Sequence, residues 1–406
     1  MTLTSAHPPL GPVDIVLAAG GTGGHLFPAQ ALAAELQRRG RHIALMTDRR
    51  GADYEAAFAG VPVVGVAAGT FARAGRLGQI RVLFDIARGI LQARRHLGRL
   101  RPRAVIGFGG YPSLPAMVAA LSLGIPCCIH EQNAVLGRVN RLLASRAIAL
   151  AGALPLSTAR DAAFAARLVI TGNPVREAIL AVAGTPYVEP EVTGPLNLLV
   201  TGGSQGASIM GDIVPAALAA LPETLRGRLR VTQQVRPADL QRVAAFYRSH
   251  GIEADCAAFL ADMPRHLADA HLVIARSGAS TLAELGVVGR PAILVPLPSA
   301  MDDHQTANAR ALAAGGGAWL MPQADFTVDA LAQRLTHLAS APSELGAAAA
   351  AALAFGRPEA ASLLADVVEA VAGNGAVGHR SLTADRSVNQ PSRPHKGMQA
   401  SAEEAA

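Results

Sequence analysis

The chain reads as an α/β protein made of two Rossmann-like domains whose parallel sheets face each other across a cleft. Three observations predict this. Short apolar runs alternate with Ala/Leu-rich helical stretches, the pattern of parallel strands covered by helices on both faces. The 406 residues exceed one ordinary core and suit two. The two halves also open alike: Val16–His25 (VLAAGGTGGH) and Leu198–Ala207 (LLVTGGSQGA) each run an apolar strand into a glycine-rich turn.

Taken in order, the first half holds expected strands at Val13–Ala19, His42–Thr47, Val61–Val66, Ala104–Gly107, Ile125–Ile129, Ala147–Leu150 and Leu168–Thr171. The second half holds Leu196–Thr201, Leu229–Gln233, Leu272–Ala275, Ala292–Val295 and Ala318–Met321. Between them, residues 173–195 carry Asn173-Pro174, Pro186, Pro190 and Gly194-Pro195 and read as a linker. Residues 104–129 contain no charge, long enough on paper for a membrane span. Gly107, Gly109, Gly110, Pro112, Pro115, Gly124 and Pro126 instead divide them into strand, loop, helix and strand. Residues 347–372 are Ala-rich with a helical pattern, and from Gly373 the composition predicts a disordered tail.

Composition narrows the function classes. Half the residues are hydrophobic and 16% are charged, with a mean hydropathy of +0.29, which excludes a disordered or fibrous chain. The net charge of +6 favours anionic partners such as phosphorylated ligands or acidic lipid headgroups. Only 4% of residues are aromatic, so no nucleic-acid surface of stacked rings is expected. Cys127, Cys128 and Cys256 suggest no disulfide framework and a reducing, cytoplasmic setting. Met1–Pro12 lacks the pattern of a signal peptide.

A strand ending in a glycine-rich turn that opens a helix presents free N–H groups and the positive end of a helix dipole to phosphate. Gly20–Gly24, Gly107–Ser113 and Gly202–Ala207 all qualify. None is a Walker loop, and none carries the full dinucleotide fingerprint; Asp48, followed by Arg49-Arg50, is the nearest acidic candidate. A polar cluster, His130-Glu131-Gln132-Asn133, follows Ile125–Ile129 at the strand end where open α/β sheets bind ligands. Arg276-Ser277-Gly278-Ala279-Ser280-Thr281-Leu282-Ala283-Glu284 can open a phosphate-receiving helix, or its serines can merely cap one. Asp302-Asp303-His304-Gln305 lacks the companion groups of a metal site and suits sugar recognition or a solvated turn.

These segments, with Gly172-Asn173-Pro174-Val175-Arg176, stand in one order that resembles the MurG family of peptidoglycan N-acetylglucosaminyltransferases, over about residues 13–370. The resemblance implies a GT-B fold. It implies an N-terminal acceptor and membrane-side domain at 10–175, a UDP-sugar domain at 176–357, and a helix at 358–372 returning to the first. It further implies an inverting, metal-independent and cofactor-free transfer from UDP-N-acetylglucosamine to the C4 hydroxyl of the muramoyl sugar in lipid I, forming lipid II. Such an enzyme serves cell wall synthesis, cell shape and division from the cytoplasmic face of the inner membrane, peripherally bound. The alternatives are a GT-B transferase on another lipid acceptor and a nucleotide-dependent oxidoreductase.

Carried over by motif, the donor site comprises Thr22, Gly23, Gly24, Asn133, Arg176, Ser204, the backbone of Leu260, Gly278, Ala279, Ser280, Thr281, Leu282, Ala283, Glu284 and Gln305. Ser204 would meet the diphosphate, Glu284 the ribose, and Leu260 the uracil edge. Two departures stand out. Gln233-Gln234 occupies the family's His-Gln position, and His304 can exchange roles with Gln305. The acceptor hydroxyl needs a base near neutral pH; His25 is favoured, with His130 and Glu131 as alternatives. Between Arg76 and Arg99, Leu77, Ile80, Leu83, Phe84, Ala87, Ile90 and Leu91 recur at helical spacing beside Arg81, Arg88 and Arg95. Such a helix either packs on the core or lies on anionic lipid, and a lipid-linked acceptor favours the second.

Overall fold

The computed structural model describes residues 12–21, 23–48, 58–69, 76–203 and 206–373. Thr22, Ser204 and the tail from residue 374 lie outside them. The first domain is a seven-stranded parallel sheet in the order β3-β2-β1-β4-β5-β6-β7. Its elements are β1 (Ile15–Ala18), α1 (Gly23–Arg38), β2 (Ile43–Thr47), β3 (Val63–Gly65), α2 (Arg76–Leu100), β4 (Ala104–Gly107), α3 (Gly110–Ser122), β5 (Cys127–Glu131), α4 (Arg138–Leu143), β6 (Ala149–Gly152) and β7 (Leu168–Ile170).

The second domain is a six-stranded parallel sheet in the order β10-β9-β8-β11-β12-β13. It comprises β8 (Leu196–Thr201), α5 (Ser208–Ala219), β9 (Leu229–Gln234), β10 (Glu253–Ala257), β11 (Leu272–Ala275), α6 (Ala279–Val288), β12 (Ala292–Leu294), α7 (His304–Ala314) and β13 (Ala318–Leu320). Helices Val328–Ser340 and Pro342–Phe355 follow, and α8 (Ala360–Gly373) closes the described chain.

The central strands are continuous runs of Val, Ile, Leu and Ala because both of their faces are covered. β1, β4, β8 and β11 are buried almost end to end. Each sheet reverses its strand order beside its first strand, so crevices open at the carboxyl ends of β1 and β4 and of β8 and β11. The chain then returns. Leu364, Val367, Val368 and Val371 of α8 join Ile15, Leu17 and Leu32 in a core of the first domain. Arg39 clamps the outside of that return through Asp366 at 2.6 Å and Glu369 at 2.7 Å.

Three local differences from the sequence reading have physical causes. β10 is an edge strand, half exposed and carrying Glu253 and Asp255, so it lacks an apolar run. β5 extends to Glu131, because His130 and Glu131 are buried polar residues on a strand rather than in the loop after it. The Ala-rich region divides into two helices with Gly356 between them. Among the described residues no single helix is long and apolar enough to cross a membrane. One pair bent by 96° passes on length and composition together, and its Leu331, Leu335, Leu345 and Leu364 are buried in the protein core.

Candidate active site

The two crevices meet in one cleft of about 1070 Å³. Helix N-termini aim into it from both walls. The residues before α3, α5 and α6 are Gly109, Ala207 and Gly278, none of which makes a side-chain cap. Their first-turn N–H groups therefore remain available to an anion. At the α3 entry two successive left-handed residues, Gly109 (φ 84°) and Gly110 (φ 71°), turn the chain sharply. The His25 ring lies 3.5 Å from the space a Gly110 side chain would fill.

On the C-terminal wall the cleft touches Gly278, Ala279, Ser280, Thr281 and Glu284. Leu282 faces away into the core of the second domain, and Ala283 packs against that core. The Ser280 hydroxyl is buried without a partner. Arg176, on the linker, is held two ways and keeps one donor unspent. Its Nη2 donates to Glu284 at 3.3 Å, its guanidinium sits 4.5 Å over the Phe27 ring of α1, and its Nε is buried without an acceptor. Burial pushes the Glu284 carboxyl above its ordinary pKa, and the Arg176 charge opposes that rise. Leu260 and Gln305 also line the cleft. The Gln305 side chain accepts from Leu297 N at 2.9 Å, while His304 contributes its ring beside it. Gln234 ties down the second glycine turn through Thr201 at 2.9 Å and Gly202 at 3.3 Å. Gln233 is spent inside, on Met210 and Tyr247.

The N-terminal wall is built differently. Glu131 is 2% exposed and accepts four hydrogen bonds: Asn133 N and Nδ2 on one oxygen, Gly137 N and Asn140 Nδ2 on the other. His130 is fully buried. Gln132 Nε2 donates to its Nδ1 at 3.2 Å, leaving Nε2–H to donate to the linker carbonyl of Gly172 at 3.0 Å. Burial holds the His130 pKa down at about 4. Both alternatives to His25 thus have their polar atoms engaged within the protein. His25 differs: its Nδ1 has no partner, and burial, reinforced by the facing His304, brings its pKa to about 4. Gly23 and Gly24 line the cleft beside it.

Asn133 joins the walls. Its Oδ1 accepts from Asn308 Nδ2 of α7 at 3.0 Å, and Asn308 also receives Ala134 N at 2.9 Å and donates to Ser277 O at 3.2 Å. Arg141 spans the same boundary, 2.8 Å from Asp161 and 3.7 Å from Asp302. The sequence reading did not single out Phe27, Arg138 or Phe259, all of which line the cleft. Phe259 is 77% exposed, an aromatic beside Leu260 that no core requires; that imbalance was the available signal. Among the described residues no three His, Cys, Asp or Glu side chains converge as metal ligands.

The family models for the glycosyltransferase family 28 N-terminal and C-terminal domains match residues 15–151 and 197–364, one on each wall of this cleft. The chain belongs to glycosyltransferase family 28. Its fold is GT-B. A Rhodospirillum centenum relative named UDP-N-acetylglucosamine–N-acetylmuramyl-(pentapeptide) pyrophosphoryl-undecaprenol N-acetylglucosamine transferase is 55% identical over 89% of this chain and 95% of its own. A Brucella abortus protein of the same name is 49% identical over 88% and 94%. The crystal structure of Acinetobacter baumannii MurG superposes with a TM-score of 0.71 at 31% identity, covering 88% of this chain and 99% of that one.

Proposed function

We infer that this family 28 transferase moves N-acetylglucosamine from UDP-N-acetylglucosamine to the C4 hydroxyl of the muramoyl sugar in lipid I, forming lipid II. The near full-length likeness to transferases of that name, spanning both walls of the cleft, carries the reading.

The donor diphosphate binds at the N-terminus of α6, against Ser280, with Arg176 beside it; Ser204 and Thr22, outside the described residues, are the further donor contacts that the resemblance implies. Breaking the sugar–phosphate bond builds negative charge on the departing UDP. Arg176 and the uncapped helix ends stabilise that charge without a metal ion. Arg176 meets it by leaving Glu284, which then turns to the ribose hydroxyls. The Leu260 backbone reads the uracil edge, and Phe259 lies against its face. Gln305, His304 and Asn133 hold the transferred sugar.

His25 is the base. With its pKa lowered to about 4, the imidazole is neutral at pH 7 and can accept a proton. Substrate phosphates entering the cleft raise that pKa by opposing the cost of a buried cation, which strengthens the base only in the loaded enzyme. The proton leaves the acceptor hydroxyl as its oxygen attacks the sugar carbon from the face opposite UDP, inverting it. His130 and Glu131 act through position, fixing the linker and the loop that bears Asn133.

Membrane attachment follows from α2. Gly89, Ala93, Leu97 and Leu100 form its buried seam, leaving Ile80 (65% exposed), Leu83 (58%), Phe84 (68%) and Leu91 (60%) outside. Arg81, Arg88 and Arg95 are exposed with them. This basic, apolar face suits peripheral binding to anionic lipid at the cytoplasmic side of the inner membrane.

The test is transfer from UDP-N-acetylglucosamine to a short-chain lipid I analogue in EDTA, following UDP release and product mass together. Release of UDP with a product heavier by one N-acetylhexosamine is expected. Donor binding without transfer would point to another acceptor or an idle binder, and absence of both would overturn the reading of the donor.

A further inference from the structure

Four arginines line the cleft: Arg138, Arg176, Arg236 and Arg276. Three are committed. Arg176 pairs with Glu284. Arg236 grips Asp239 through two hydrogen bonds of 2.9 and 2.7 Å. Arg276 donates to the carbonyls of Val295 and Pro296 and to Gln323. Arg138 is exposed and has neither a hydrogen bond nor an ion pair among the described residues. It is also the one arginine that the N-terminal wall contributes to the cleft among those residues, since Arg141, three positions on, is held by Asp161 and Asp302. The nearest carboxylate in sequence on that wall, Glu131, is saturated by its four donors and draws no cation. One helical turn beyond Arg138, on the same face of α4, Leu142 is 59% exposed.

Resting on the transfer reading above, we propose that Arg138 contacts the diphosphate of the lipid-linked acceptor and that Leu142 contacts its first isoprene units. The reaction brings two diphosphates together. The donor's has Arg176 and the end of α6. The acceptor's needs a separate cation on the opposite wall, where Arg138 is uncommitted. The order along α4, a free cation and then an exposed leucine, matches the order of an acceptor in which an anionic link leads into a hydrocarbon chain. Arg138 is a specificity residue for the acceptor and has no part in donor binding.

The experiment compares full-length wild type with R138A, R138K and L142S. It uses prenyl-diphosphate-linked muramoyl-pentapeptide, the monophosphate-linked counterpart, and a diphosphate acceptor whose stem-peptide carboxylates are amidated. Wild-type turnover of the first compound is the control, and its failure would refute the transfer reading rather than this one. R138A should raise the acceptor KM roughly tenfold to thirtyfold on the diphosphate compounds, as expected for loss of a charge-assisted contact, with the donor KM within twofold. R138K should recover part of the loss. The penalty should shrink on the monophosphate compound and persist on the amidated one. L142S should raise the KM more for longer prenyl chains. The side chain of Arg138 is exposed, so the thermal midpoint should be unchanged. An unchanged acceptor KM, a rise confined to the donor KM, or a penalty abolished by amidation would each overturn the proposal, the last by assigning Arg138 to the peptide.

Discussion

The two walls of the cleft use polar residues in opposite ways. The C-terminal wall leaves groups unspent: a buried Ser280 hydroxyl, uncapped N–H groups at α6, and an Arg176 whose Nε has no acceptor. The N-terminal wall spends nearly everything on itself, with four donors on Glu131 and both nitrogens of His130 engaged. Unsatisfied buried groups are costly to fold around, so those that line the cleft mark where a polar ligand repays the cost. The saturated side shapes a loop and leaves few groups uncommitted: His25, Arg138 and the uncapped end of α3.

Substitutions should separate the walls. The largest effect is expected at Arg176. R176A should lower kcat/KM by about a thousandfold, the scale of removing a preorganised group that stabilises leaving-group charge, and R176K should restore only part of it. H25A should lower kcat by about a hundredfold to ten-thousandfold, the range of general base catalysis; turnover nearly unchanged at every pH would sink the assignment.

Glu131 should behave as a staple. In E131Q two of the four donors face an amide N–H₂, which should cost about 2–3 kcal/mol in urea unfolding. Its kcat should fall with little change in the donor KM, whereas loss of a direct donor contact would raise KM. The pH dependence of stability follows from His130. Its folded pKa, about 4, lies below the ordinary 6.5, so the unfolded chain binds the proton more readily. The stability deficit is absent above pH 6.5, grows as pH falls, and levels off below pH 4. Over that window His130 accounts for about 3 kcal/mol, measurable as a falling urea midpoint whose slope H130N should roughly halve, because His25, also held at about 4, titrates over the same window. The smallest effect on chemistry should come from α2. Replacing Leu83 and Phe84 with Ser should weaken binding to anionic vesicles roughly tenfold, while transfer to a detergent-solubilised acceptor stays near wild type.

The fold was legible because buried parallel strands must be apolar throughout. Ala104–Gly107, Leu196–Thr201 and Leu272–Ala275 announce themselves with identical bounds in the structure. β10 does not, because an edge strand tolerates Glu253 and Asp255. The glycine turns were visible as local sequence. The joints between walls were not. Phe27, Arg176 and Glu284 meet from positions scattered across the chain, and Asn308 reaches Asn133 across 175 residues. Local spacing carries no trace of such contacts. The same limit hid the state of His130 and Glu131: a polar quartet reads alike whether its side chains await a ligand or bond to one another.

The return of α8 to the first domain means that the polypeptide crosses between the domains twice. The crossings lie side by side: a side chain on Gly172 would come within 2.6 Å of the Arg357 Cβ. A molecule joined by one strand can swivel as well as bend. Two adjacent strands act as the leaves of a door hinge, permitting a swing about one line and resisting twist. A single proteolytic nick in either crossing would therefore leave the halves tethered and in register, and only cuts in both would let them part.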